Sequence, residues 1–137
     1  MGKATMRMLS QHQLSFFENI LKSSLIDIGV NCVLLIDLAG NIITNLENGK
    51  NQSDIYSLAA LAAGNYGAVN AMAEIVGEKD FSLLFHKGKG VNIHFKAISK
   101  EYLLICIFGN DLSLGFLRLK VTEAAQQLLH SLKSGTN

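Results

Sequence analysis

A chain of 137 residues that is 49% hydrophobic and 17% charged, with a formal net charge of +1, suits one domain that buries roughly two-thirds of its unfolded surface. So even a balance creates no field to draw in nucleic acid or an acidic membrane over distance. No apolar run reaches the roughly 20 residues of a membrane helix, and the opening "MGKATMRMLS" lacks the apolar centre of a signal peptide, so a soluble, cytoplasmic protein is expected.

Residues 1–9 read as a flexible N-terminal segment. Gly2 does not signal myristoylation, because Met6 stands where that motif needs Ser or Thr. Ser10 with Gln13 forms a capping-box pattern, after which Leu14, Phe17, Leu21, Leu25 and Ile28 recur at helical spacing until Gly29. "NCVLLID" is a strand too apolar to alternate, so both of its faces should be covered. The turn "LAGN" follows, and "IITNL" returns as a shorter strand. Past the turn-rich "ENGKNQ", Ser53 or Asp54 is the candidate cap of a long helix, with Gly77 near its end.

Three strands come next: "FSLLFHK", "VNIHFKAIS" and "YLLICIF", joined by the short turns "GKG" and "KE". The simplest arrangement is a meander with "FSLLFHK" at the sheet edge. Val91, Ile93, Phe95 and Ala97 alternate with Asn92, His94 and Lys96, which predicts a middle strand with one wet face. After "GNDLS", Leu114, Leu117, Val121, Ala124, Leu128 and Leu132 restore helical period, and residues 133–137 form a polar tail expected to fray. Cys32 and Cys106 sit inside apolar runs and read as small buried hydrophobes. The order is α-β-β-α-β-β-β-α, an α/β (α+β) fold.

The long helix poses a question. "SLAALAAGNYGAVNAMAEIVGE", residues 57–78, holds seven alanines and three glycines and almost no charge. At about 100° per residue it divides into three faces. Ala60, Ala63, Gly64, Gly67, Ala68 and Ala71 make a stripe of small residues, and Leu58, Leu61, Val69, Met72 and Val76 make a larger apolar stripe. Tyr66, Asn70, Ala73 and Glu74, with Ala59, make the third. A helix lying on one sheet needs one apolar stripe. The expectation is therefore that the larger stripe rests on the sheet while the small one meets the same helix of a second copy, in a two-fold homodimer; the alternative is that the small stripe packs tightly on this chain's own sheet. Phe81, Leu83 and Phe85 on the uncharged edge strand would pair across the same axis and remove an aggregation hazard. Tyr66 reads either as a docking anchor for a partner or as a partly buried dimer contact.

Chemistry is hard to find. His86 and His94, read as neighbours on adjacent strands, have no third ligand at metal-like spacing and are expected to be solvated. "HKGKG" has the glycines and lysines of a phosphate loop but lacks the Walker spacing and a following helix. Asp27 and Asp37 stand apart from any base, no serine sits in a G-x-S-x-G elbow, and neither Arg7 nor Arg118 reads as a rigid finger for phosphate chemistry. No catalytic residue, cofactor or metal is expected.

The element order, the "LAALAAGNYGAVNAMAEIVG" helix, the "DLAGNII" turn, the "FSLLFHKGKG" hairpin and the "LGFLRLKVTEAAQQL" ending resemble the roadblock family of dynein light chain and bacterial MglB-type proteins, over residues 10–132. The resemblance implies a five-stranded antiparallel sheet with the first and last helices on one face and the central helix on the other. It implies a homodimer formed through that helix and the third strand. It also implies a Ras-like small GTPase as partner, whose hydrolysis MglB-type members promote by repositioning the GTPase's own groups, or alternatively a motor-associated or structural adaptor role. Tyr66, Asn70, Ala73 and Glu74 would then face the partner near the two-fold axis.

Overall fold

The computed structural model describes residues 9–49, 54–78 and 83–134. The expectations for 1–8 and 135–137, for Ser53 as a cap and for Phe81 at the edge lie outside these residues. Helix α1, Gln11–Leu21, starts on the expected capping box: the Ser10 hydroxyl accepts from Gln13 N–H at 3.0 Å, and the Gln13 side chain accepts from Ser10 N–H at 3.1 Å. Its ladder then loosens into one π-helical stretch, Lys22–Ile26, which the sequence period did not reveal. Ser23 Oγ donates to the carbonyls of Asn19 and Ile20, and such back-bonding competes with the regular helical bond.

Strands β1 (Cys32–Asp37), β2 (Ile42–Glu47), β3 (Leu83–Lys87), β4 (Val91–Ala97) and β5 (Tyr102–Gly109) form one antiparallel sheet in the order β2-β1-β5-β4-β3. β3, β4 and β5 make the expected meander, and β3 is an edge. β2 is as long as β1 rather than shorter, because the ladder absorbs a bulge at Leu35/Ile36 and runs on to Glu47. The other two helices are α2, Ile55–Ile75, and α3, Leu114–Ser134.

The sheet separates two cores. On one face α1, the π-helical stretch and α3 bury Phe17, Leu21, Leu25, Val121 and Leu128 against Val33, Leu35, Leu104, Cys106 and Phe108. On the other, α2 lays Ala59, Ala62 and Ala63 on Leu34, Leu103, Ile105 and Ile107. The central strands β1 and β5 are buried on both sides, as their unbroken apolar runs require. Thr44 Oγ1 donates to Glu18 Oε2 at 2.7 Å and ties the outer strand β2 to α1.

Two expectations for β4 are corrected. Its polar residues do not face water: Asn92 is 2% exposed and His94 1%, since α3 reaches across β4 on that side. His86 and His94 are not neighbours either. The register sets Phe85 opposite His94 and His86 opposite Ile93, so the two histidines fall on opposite faces of the sheet. His86 meets the Phe95 ring edge-on at 5.7 Å instead. Both cysteines are free and fully buried, as expected; burial, with Glu47 nearby, pushes the Cys32 thiol up to about 11, and burial raises Cys106 further.

Candidate interaction surface

Asp54 caps α2 through bonds to the N–H groups of Tyr56 and Ser57. The Ser57 hydroxyl donates to the same carboxylate and, with these bonds, holds its pKa below the usual value. At the other end Gly77, at φ +86°, closes a Schellman turn in which Glu78 N–H reaches the Ala73 carbonyl and Gly77 N–H the Glu74 carbonyl. The helix is thus bounded where its sequence says. What the structure decides is how it is rotated.

The assignment of faces is corrected. The side laid on the sheet is the alanine side, Ala59, Ala62 and Ala63, with Tyr66 packed beside them and Ala73 buried. Of the larger stripe only Leu58 packs against the sheet-side core and Val69 is half-buried; Leu61 is 72% exposed and Met72 55%, and Val76 beyond the helix end is exposed too. Sheet positions under α2 already carry Leu, Ile and Phe, so close packing on them favours small side chains from the helix. Of the small stripe, Ala63 therefore belongs to this chain's own core, while Ala60, Gly64, Gly67, Ala68 and Ala71 are exposed.

The outward face of α2 now joins both kinds of residue. Leu61, Met72 and Ile75 stand among Gly64, Gly67, Ala68 and Ala71, and Glu74 is the one charged side chain between Ile55 and Ile75. A β-carbon added at Gly64 or Gly67 would meet nothing within 4 Å, so no contact inside the chain requires these glycines. β3 lies at the sheet edge, its backbone rows at Leu83 and Phe85 paired with Lys96 and His94.

Of the four residues assigned to a partner, Ala73 is 2% exposed and cannot present a docking face. Tyr66 and Asn70 are half-buried and Glu74 is exposed. These three line a hollow of about 300 Å³ with Leu38, Ser99 and Lys100. Leu38 belongs to the β1–β2 turn, which Asp37 organises by accepting from the N–H groups of Ala39 and Asn41 and from the Asn41 side chain. Ser99 and Lys100 belong to the β4–β5 turn. Sequence reading missed all three. The signal that could have found them is strand parity: both hairpin turns must emerge at the same end of an antiparallel sheet, and the register Asp37 to Tyr102 shows that they do.

Among the described residues no group of three His, Cys, Asp or Glu could hold a metal, and no helix is long and apolar enough to cross a membrane.

A five-stranded antiparallel sheet between a two-helix layer and one bare-faced helix defines a small α/β domain. The chain belongs to the Roadblock/LC7 domain family, whose model matches residues 17–108. It is similar to MglB of Myxococcus xanthus, with 27% identity, a TM-score of 0.85 and coverage of 96% of this chain and 98% of that one. MglB from Thermus thermophilus follows at 26% identity and TM-score 0.82, covering 90% of this chain and 93% of that one. An MglB described with a tetrameric arrangement has 26% identity and TM-score 0.83, covering 90% of this chain and 92% of that one. Among curated proteins, none matches this chain in sequence.

Proposed function

We propose that this protein is a homodimeric, non-enzymatic regulator of a Ras-like small GTPase, the role that its MglB-type resemblance implies. The observation that carries the reading is the outward face of α2, a full-length helix side with large apolar residues exposed and glycines that nothing inside the chain needs. Each mid-helix glycine costs about 1 kcal/mol relative to alanine, a cost that close approach by a second backbone would offset. A copy of the same helix supplies such a backbone under two-fold symmetry, and the β3 edge lends itself to pairing across the same axis.

The hollow between Tyr66, Asn70, Glu74, Leu38 and Lys100 would be the docking surface of such a dimer. It combines an exposed leucine with one carboxylate and one ammonium group, a composition suited to a polar protein surface with an apolar centre. The GTPase would supply its own catalytic groups and this surface would position them.

A second reading, a structural adaptor that joins proteins regardless of nucleotide, is favoured by one feature. The outer layer opposite α2 exposes Phe16, Phe116 and Leu119, and a groove of about 390 Å³ runs between Phe16 and the α3 residues Glu123, Gln126, Gln127 and His130. A dimer formed through α2 would leave two such grooves facing away from each other.

The deciding experiment titrates the protein against its host's Ras-like GTPase, loaded with GDP or with a non-hydrolysable GTP analogue, and then follows single-turnover hydrolysis. Binding confined to the GTP form supports the regulator, and faster hydrolysis makes it an activating one. Equal binding to both forms supports the adaptor, and no binding to either rejects the GTPase reading.

A further inference from the structure

The hollow at the flank of α2 has a lining residue of a kind that hairpin turns seldom carry. Turn positions favour glycine, asparagine, aspartate and serine, which suit a reversing backbone, yet the β1–β2 turn opens with Leu38, 40% exposed. The other large exposed hydrophobics among the described residues stand on helices, at the end of α2 or at the start of β4. Leu38 belongs to neither hydrophobic core, so core packing does not account for it.

The turn holds that leucine in one place. Asp37 N–H donates to the Asn41 carbonyl at 3.0 Å, and Gly40 N–H donates to the Asp37 carbonyl at 3.1 Å. The Asp37 carboxylate, on a residue 7% exposed, accepts from Ala39 N–H at 3.0 Å, from Asn41 N–H at 2.9 Å and from Asn41 Nδ2 at 3.0 Å. These bonds bracket Leu38 on both sides. A hairpin can close on a two-residue loop with no buried carboxylate. Burying one here costs desolvation, which its donors offset, and what the arrangement adds is a turn of fixed shape. The same turn lies against the α2 backbone at Ala60, which fixes it relative to Tyr66, Asn70 and Glu74.

Around Leu38 the hollow sets two opposite charges that no ion pair neutralises. Glu74 and Lys100 both line it, and the ion pairs among the described residues join Lys22 to Asp27 and Lys120 to Glu123 instead. Charges at the rim of an interface steer and orient a partner. A preset apolar side chain between them contributes affinity, because little ordering remains to be lost on contact.

We infer that Leu38 is the affinity anchor of this surface and that Asp37 is the residue that positions it. On the GTPase reading above, on which this assignment rests, the matching element of the GTPase carries an apolar side chain over Leu38, a basic group toward Glu74 and an acidic group toward Lys100. Asp37 touches no partner in this arrangement and acts only through the shape of the turn.

The test is a calorimetric titration of the full chain with the GTPase loaded with a non-hydrolysable GTP analogue. It compares the parent, Leu38→Ala, Asp37→Ala, Asp37→Asn and the double variant Leu38→Ala with Asp37→Ala. Leu38→Ala should weaken binding about thirtyfold, the scale of an interface anchor, and leave the thermal melt where it is. Asp37→Ala should weaken binding too, and Asp37→Asn, which keeps a carbonyl oxygen for the Ala39 and Asn41 N–H groups, should restore most of the loss. In the Leu38→Ala background Asp37→Ala should cost nothing further, because its effect passes through the leucine; a general loss of structure would cost as much in either background. If the parent does not bind the GTPase in either nucleotide state, the GTPase reading falls and this assignment with it. If the parent binds and Leu38→Ala weakens it by less than about fivefold, the assignment alone is overturned. Additive losses in the double variant, or no rescue by Asp37→Asn, would overturn the positioning role of Asp37.

Discussion

A β-carbon on Gly40 would lie 3.2 Å from the Cα of Ala60. The β1–β2 turn therefore rests its backbone directly on α2, and Gly40 holds φ at +93°, where L side chains are strained. This contact connects the turn that carries Leu38 to the rotation of α2, and so to both candidate surfaces.

Gly40→Ala should destabilise the fold by about 1–3 kcal/mol, through the positive φ and the collision with helix backbone together. Chemical denaturation measures it. A neutral effect would mean that the turn and α2 are not held in contact in solution.

Gly64→Leu separates fold from assembly. A β-carbon added there meets nothing within 4 Å inside the chain, and removal of a mid-helix glycine should stabilise an isolated α2 by up to about 1 kcal/mol. The expected outcome is helical circular dichroism as in the parent with a smaller mass in light scattering. An unchanged dimer would exclude the outward face of α2 as the contact; the related Gly67→Leu should act in the same direction.

His94 predicts a pH dependence. Burial, with Arg118 and Lys96 adding repulsion, lowers its pKa from 6.5 to about 4. Above about pH 6.5 the imidazole is neutral in both states and contributes no slope. Between 6.5 and 4 the unfolded chain takes up the proton and the native one does not, so stability falls as pH falls, by about 3 kcal/mol in all. Urea melts across this window should show the loss, and His94→Phe should remove much of the slope. A flat profile for the parent would mean that His94 takes up its proton in the folded state at an ordinary pH.

The cap of α1 can be tested by Ser10→Ala, which removes the acceptor of Gln13 N–H. A loss of about 1 kcal/mol is expected, and Ser10→Asp should restore most of it. If Ser10→Ala melts like the parent, the box contributes nothing to stability.

Much of the fold was legible because its signals are local. Ser10 and Gln13, Asp54 and Gly77 mark helix ends through bonds to backbone groups a few residues away. The unbroken runs at Cys32–Asp37 and Tyr102–Gly109 follow from burial on both faces, which the number of helices and strands already demanded. The candidate surface was legible only in part. Gly64, Gly67, Ala68 and Ala71 were correctly read as facing away from the sheet, but Leu61 and Met72 were put on the wrong side and Ala73 was offered to a partner.

The chain's own sequence determines the order of its elements, their ends and the absence of charge along α2, since each depends on residues within a turn or two of one another. The rotation of α2 and the burial of Asn92 and His94 were decided by tertiary structure alone. A helix with apolar residues all around has no periodic preference for one face. What chose among its faces was the volume that Leu34, Leu103, Ile105 and Ile107 already fill beneath it, leaving room for alanine and sending leucine and methionine outward.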